Sequence, residues 1–141
     1  LIIGERTAEE VKMTIGNALI DSKDEAKEKY FEVKGRDFQT GLPKILNLGE
    51  IDINEGLQKP LKQIIEGIKE VLGITPPELS ADIVDKGIVL SGGTALLKNI
   101  DKYVSYYSGV SSFVVEEPLF CVIRGVGMAI ENLDKFKEAI K

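Results

Sequence analysis

The chain reads as an α/β protein: a sheet covered by helices, joined to a small αβ portion that carries a β-hairpin. Three observations predict this. From Pro76 onward, apolar segments alternate between helical and strand periods in the order helix, strand, helix, strand, helix. That order implies βαβ units. Between residues 29 and 50, two strand-like runs flank the turn-rich stretch "GRDFQTGLP", which is hairpin chemistry. The bulk composition is that of a folded domain: 141 residues, 43 % hydrophobic and 29 % charged, enough for a core of real size.

The elements follow in order. Thr7-Ala8-Glu9-Glu10 has the form of a capping box, in which Thr7 accepts from the third helical amide and Glu10 reaches back. Ala8, Val11, Ile15, Ala18 and Leu19 recur at helical spacing. The charged run "DSKDEAKEK" at 21–29 reads as a solvated loop. Tyr30, Glu32 and Lys34 alternate with Phe31, Val33 and Gly35, which predicts a short strand, and "KILNLGEIDI" predicts its partner. Asn54 is placed to cap a second helix, whose stripe is Leu57, Leu61, Ile64, Ile65, Ile68, Val71 and Leu72. Pro60 should bend its first turns, and Gly73 should end it as a C′ residue. Pro76-Pro77-Glu78 opens a short helix to Lys86. Ile88-Val89-Leu90 is a short buried strand. A helix over 96–107 is stopped by Gly109, a strand covers 112–115, a helix covers 119–132, and 133–140 forms a last amphipathic turn or two.

Composition removes several function classes. Net charge is -5 and no long basic run occurs, which argues against a nucleic-acid partner, since phosphate neutralisation needs clustered Lys and Arg. No apolar stretch approaches the ~18–20 residues that span a bilayer, and no signal-peptide pattern is present. The single cysteine, Cys121, forms no internal disulfide and fits a reducing cytoplasm. With no histidine, His-based triads, HExxH zinc sites and His general bases are excluded. The sequence starts at Leu1 rather than Met, so we expect a segment of a longer protein.

The stretch "GIVLSGGTALLKNI" at 87–100 carries the sharpest motif. A strand, then Gly92-Gly93, then a helix exposes backbone amides and the positive helix end, and glycine lets a ligand come close. It is neither GxxxxGK[ST] nor GxGxxG. A tight turn that binds nothing accounts for the same residues. Gly125-Val126-Gly127 reads as close helix packing rather than a ligand loop. Glu9 and Lys12, three apart, read from spacing alone as a solvent-facing ion pair. Glu116 and Glu117 point to opposite sides of an extended segment, so they do not form a catalytic acid pair. Cys121 reads as a buried helix residue with no histidine to activate it.

Four stretches, "GERTAEEVKMTIGNA", "VKGRDFQTGLPK", "PPELSADIVDKGIVLSGGTALLKNIDKYV" and "EEPLFCVIRGVGMAIENLD", together strongly resemble the C-terminal part of the bacterial actin homologues of the MreB/Mbl family. The resemblance runs over essentially the whole chain. It implies the actin/Hsp70-type ATPase fold, with this chain forming most of the second domain: residues 1–54 the small subdomain, residues 55–141 the larger one. It also implies a purine nucleotide, ATP or ADP. Gly92, Gly93, Thr94, Ala95 and Leu96 match the family's adenosine motif. Glu9, Glu10, Val11 and Lys12 match the second adenosine-side segment, turning polar ends toward ribose or the base edge. Thr94 stands where many family members carry a third glycine, which sets a Cβ at the approach to the nucleotide. The family's two Asp-Gly-rich phosphate loops, "DLGT" and "DIGGGT" in type, do not occur here. By resemblance they belong to the other half, with the Mg²⁺ site and the groups that position water. No catalytic or metal-binding residue is therefore expected in this chain. The intact protein is expected to be a weak ATPase, and this chain by itself inactive.

The resemblance further implies self-association into cytoplasmic, membrane-associated filaments that control cell shape and guide wall synthesis. Membrane contact would come through the other half, and the hairpin and the flanks of the adenosine subdomain would make longitudinal filament contacts. Two alternatives remain at this point. One is a nucleotide-independent interaction or structural module derived from an actin-like ATPase. The other is a different member of the actin/Hsp70/sugar-kinase group.

Overall fold

The computed structural model describes residues 1–20 and 29–136. Most of the expected charged loop, at 21–28, and the end of the last predicted turn, beyond 136, lie outside the described residues.

The chain opens with Leu1–Ile3 alongside the first strand: Ile2 and Arg36 exchange backbone hydrogen bonds of 2.8 and 3.0 Å. Helix α1 spans Glu5–Ile15 and is entered through extended Gly4. It therefore begins two residues before the expected capping box; Thr7 lies inside the first turn and makes no cap, because Gly4 supplies the carbonyl for Ala8 N–H at 3.0 Å. Strand β1, Tyr30–Arg36, pairs antiparallel with β2, Pro43–Gly49, in the register Tyr30↔Gly49 to Arg36↔Pro43. The alternation holds: Val33 is buried, Phe31 half-buried, and Glu32 and Lys34 exposed. Asp37 organises the turn. Its Oδ1 accepts the amides of Gln39 and Thr40 at 2.9 and 3.0 Å, its Oδ2 takes Lys44 Nζ at 2.8 Å, and Gly41 adopts φ +73°.

Helix α2 runs unbroken over Glu50–Ile74, through Pro60. It starts four residues before Asn54, because Gly49 donates its N–H to Asp52 Oδ2 at 2.8 Å and so occupies the N-cap position itself. Asn54 instead reaches across to the carbonyls of Asn17 and Ala18 at 2.7 and 3.1 Å. The helix ends at Ile74, capped by extended Thr75, rather than at Gly73. Helix α3 spans Pro77–Lys86 with proline in its first turn. Strand β3, Ile88–Leu90, pairs parallel with β4, Ser112–Val114. The segment between them differs from expectation. Gly93–Leu96 is a short 3-10 helix, Leu97 is extended, Asn99 is left-handed at φ +57°, and helix α4 begins only at Ile100 and ends at Ser108 before Gly109, φ +76°. The two glycines thus lead into a 3-10 turn, not the N-terminus of a long helix as expected, and so short a turn carries no substantial dipole. Helices α5, Cys121–Glu131, and α6, Leu133–Phe136, close the described chain.

Two apolar clusters hold this together. In the first, Val11, Ile15 and Val33 are buried, with Ile3, Phe31, Leu48 and Ile53 against them. In the second, Ala18, Leu61, Ile65, Ile100, Tyr103 and Val104 are buried, with the sheet residues Ile88, Leu90 and Val114 alongside. Helix α2 serves both: Ile53 joins the first cluster, and Leu57, Leu61, Ile65 and Ile68 present one stripe to the second. None of the residues of α5 is buried, and among the described residues nothing approaches a Cβ built on Gly125 or Gly127. The close-packing expectation for that GxG is therefore not met among the described residues. Cys121 is half-buried rather than buried.

Candidate functional site

A cleft of about 1000 Å³ opens between α1, the first half of α2 and the segment from Gly93 to Lys98. Its floor is apolar, with Leu57, Leu61, Ile64 and Leu97. Its rim is polar, with Glu9, Lys12, Lys29, Thr94 and Lys98, and Met13 and Leu119 sit at its edges. An apolar pocket of this size with a few convergent polar groups is the ordinary form of a small-molecule site.

The cleft joins two segments that are far apart in sequence. Of the nine residues expected at a nucleotide, Glu9, Lys12, Gly93, Thr94 and Leu96 line it. The other four do not. Val11 is 2 % exposed and points into the first apolar cluster. Glu10 is solvent-exposed on another face of α1, where its carbonyl accepts Thr14 Oγ1 at 2.7 Å. Ala95, within the 3-10 turn, is buried at 7 % exposure. Gly92 enters that turn at φ +85° and donates its N–H to the Pro118 carbonyl at 2.8 Å. The two glycines thus have separate tasks. Gly92 supplies a backbone conformation that other residues rarely adopt. Gly93 faces the cleft, and a Cβ built there would meet only Leu119 Cδ2, at 3.7 Å.

Glu50, Asn17 and Lys98 escaped the sequence reading. Glu50 is the first residue of α2 and 7 % exposed. Its Oε1 accepts Asn17 Nδ2 at 2.7 Å and Lys98 Nζ at 3.0 Å. Burial pushes the Glu50 carboxyl up, but the hydrogen bonds from Lys98 and Asn17, with the charges of Lys98 and Lys29, outweigh it and hold the group below its ordinary value. One sequence signal was available: Asn17 is a lone polar residue between Ile15-Gly16 and Ala18-Leu19-Ile20, and such a residue needs a partner when buried.

Among the described residues no cluster of three or more His, Cys, Asp or Glu side chains could hold a metal ion, and no helix is long and apolar enough to cross a membrane. Glu117, at φ +50°, pairs with Arg124 outside the cleft.

The family model for MreB/Mbl protein matches residues 1–138. The chain belongs to the MreB/Mbl family. It is 39 % identical to the cell shape-determining protein Mbl of Bacillus cereus over 142 residues, covering 100 % of this chain and 41 % of that protein. It is 44 % identical to the cell shape-determining protein MreB of Haemophilus influenzae over 133 residues, covering 94 % of this chain and 37 % of that one. This MreB/Mbl chain thus spans 37 to 41 % of the length of these two relatives. Among solved structures, MreB5 of Spiroplasma citri bound to ADP superposes with a TM-score of 0.88 at 34 % identity, over 98 % of this chain and 41 % of that one. The same protein bound to AMPPNP also gives 0.88, at 33 % identity. The MamK double helical filament, at 0.64 and 19 % identity, shares the fold alone. The actin-like fold expected from the sequence holds across the chain.

Proposed function

We propose that this chain is the adenosine side of the nucleotide cleft in an MreB-like actin. The observation that carries it is the meeting of Glu9 and Lys12 on α1 with Gly93, Thr94 and Leu96 on one apolar-floored cleft. Gly93, free of a Cβ, leaves room for the flat face of a purine, and Glu9 and Lys12 offer an acceptor and a donor for ribose hydroxyls or the base edge. ADP and AMPPNP, bound in the MreB5 structures, are nucleotides of this class. ATP and ADP are the expected ligands, with Mg²⁺ and the phosphate-positioning groups supplied by the remaining length that the relatives possess. Hydrolysis then belongs to the longer protein and not to this chain.

The same reading divides the chain at residue 54. The first apolar cluster, drawn wholly from residues 1–54, supports the division, while Ala18 and Leu19 cross it to pack in the second cluster, with α2 as the shared beam. It places the longer protein in the cytoplasm as a self-associating filament that sets cell shape and guides wall synthesis, with membrane contact through the other half. The hairpin tip, where Phe38 and Leu42 are 81 and 65 % exposed, is the proposed longitudinal contact. The rival reading, an interaction module with no nucleotide role, draws on the uncovered apolar side chains of α5, such as Val122 and Ile123 at 76 and 63 %.

The test is a titration of the ¹⁵N-labelled chain with ATP and with adenosine. Amide shifts at Glu9, Lys12, Gly93, Thr94 and Leu96 are expected with both ligands. Silence at these positions up to millimolar ligand, in the wild type and in Thr94→Gly alike, would overturn the reading in favour of the interaction module.

A further inference from the structure

We propose that Glu50 is a positioning residue for the adenosine cleft, tying its two walls to one another and to α2 through Asn17 and Lys98. The inference rests on the adenosine reading and goes beyond it, because Glu50 is matched by neither adenosine segment.

One wall is α1, which stops at Ile15; Asn17 follows two residues later and is 0 % exposed. The other wall is the 3-10 turn, which stops at Leu96; Lys98 follows two residues later. These two exits meet. Asn17 and Lys98 form a parallel bridge, and Ala18 donates its N–H to the Lys98 carbonyl at 2.8 Å. A single oxygen, Glu50 Oε1, then accepts from both side chains, at 2.7 and 3.0 Å. Asn17 Oδ1 is filled in turn by Asn99 Nδ2 at 2.9 Å and Leu19 N–H at 3.2 Å. The left-handed backbone at Asn99 points its amide back into the joint, where it also reaches the Leu19 carbonyl at 3.0 Å.

Such a joint resists partial opening. A carboxylate at 7 % exposure is costly unless its donors stay in place. If the walls slide apart, Glu50 loses Asn17, Lys98 or both. The closed arrangement is therefore sharply preferred, and the separation between Glu9–Lys12 and Gly93–Leu96 is set before ligand arrives. Gly16 tightens the fit, since a Cβ there would stand 2.2 Å from the Lys12 carbonyl oxygen and 3.0 Å from Leu97 Cδ1. Groups that hold a binding residue from behind are worth about tenfold or more in affinity where they have been measured at metal sites.

The experiment measures adenosine affinity by calorimetry, with melting temperature in parallel, for wild type, Glu50→Gln, Lys98→Met, Lys98→Arg and Val104→Ala. Val104 is 1 % exposed in the second cluster and does not line the cleft, so its truncation reports stability alone. Glu50→Gln and Lys98→Met should each weaken binding about tenfold. Lys98→Arg, which keeps the ion pair, should restore it. Val104→Ala should melt earlier with affinity unchanged. The Lys98 pair keeps the test open if Glu50→Gln does not fold, since the Lys98 side chain is 46 % exposed. Wild-type affinity in Glu50→Gln or Lys98→Met overturns the positioning role, and so does an equal loss in Val104→Ala. A wild-type chain that binds no adenosine overturns the adenosine reading itself, and the positioning role with it.

Discussion

Tyr103 lies on α4 within the second apolar cluster, 1 % exposed, and among the described residues its hydroxyl has no hydrogen-bond partner. Its ring contributes to the core, while its oxygen detracts from it. An unpaired buried hydroxyl costs about 1–3 kcal/mol. Removing it forfeits a few atom contacts of about 0.1–0.2 kcal/mol each. Tyr103→Phe should therefore stabilise the chain by about 1 kcal/mol, which at this size raises the melting temperature by about 4 °C. Urea and thermal unfolding followed by far-ultraviolet circular dichroism measure this directly. Alkaline pH adds a second arm. Burial, and then the neighbouring Tyr107 with ring centroids 4.5 Å apart, raise the Tyr103 hydroxyl above its ordinary 10.0. The unfolded chain thus releases this proton first, so wild-type stability is full below pH 10 and falls as pH climbs toward the folded value. The advantage of Tyr103→Phe should widen over the same range. A Tyr103→Phe chain less stable than wild type by about 1 kcal/mol would mean that the hydroxyl has a partner, because only a partnered hydroxyl is missed that much.

Other outcomes follow from the same contacts. Gly92→Ala forces a side chain onto φ +85° and should cost about 1–3 kcal/mol in urea unfolding. Gly93→Ala, which meets only Leu119 Cδ2 at 3.7 Å, should leave stability nearly unchanged while weakening adenosine binding in the titration; equal stability losses in the two would contradict the separation of tasks. Under acid, burial raises the Glu50 carboxyl, but Lys98, Asn17 and Lys29 bring it below its ordinary 4.5. Its contribution is therefore present above about pH 4.5 and is lost as pH falls through the lowered folded value. Glu50→Gln should flatten the acid limb of a stability–pH curve. Asp37→Asn should do the same at the hairpin, where Lys44 and the amides of Thr40 and Gln39 hold that carboxyl well below the usual range.

Where a signal is local, the residues alone place the element. The β1 alternation, the short run Ile88–Leu90, proline at the start of α3 and Gly109 after α4 each act through neighbours in sequence. Helix starts were less legible, because the capping signals at Thr7 and Asn54 are decoys. Gly4 and Gly49, without side-chain caps of their own, open the helices earlier, and Asn54 is drawn away to Asn17 and Ala18. The break between Leu96 and Ile100 was invisible for a similar reason. It exists because Asn99 turns left-handed to reach Asn17 and Leu19, residues some 80 positions away.

Membership of the MreB/Mbl family is legible in the residues alone, and the resemblance carries with it the expectation of a purine ligand and of the two segments proposed to face it. Tertiary structure alone decided how those segments are joined. Glu50, Asn17 and Lys98 are unremarkable in their own neighbourhoods, and the pairs that unite them span 33 and 48 residues. A buried carboxylate finds its donors wherever the chain brings them, and no periodicity or local propensity records that choice.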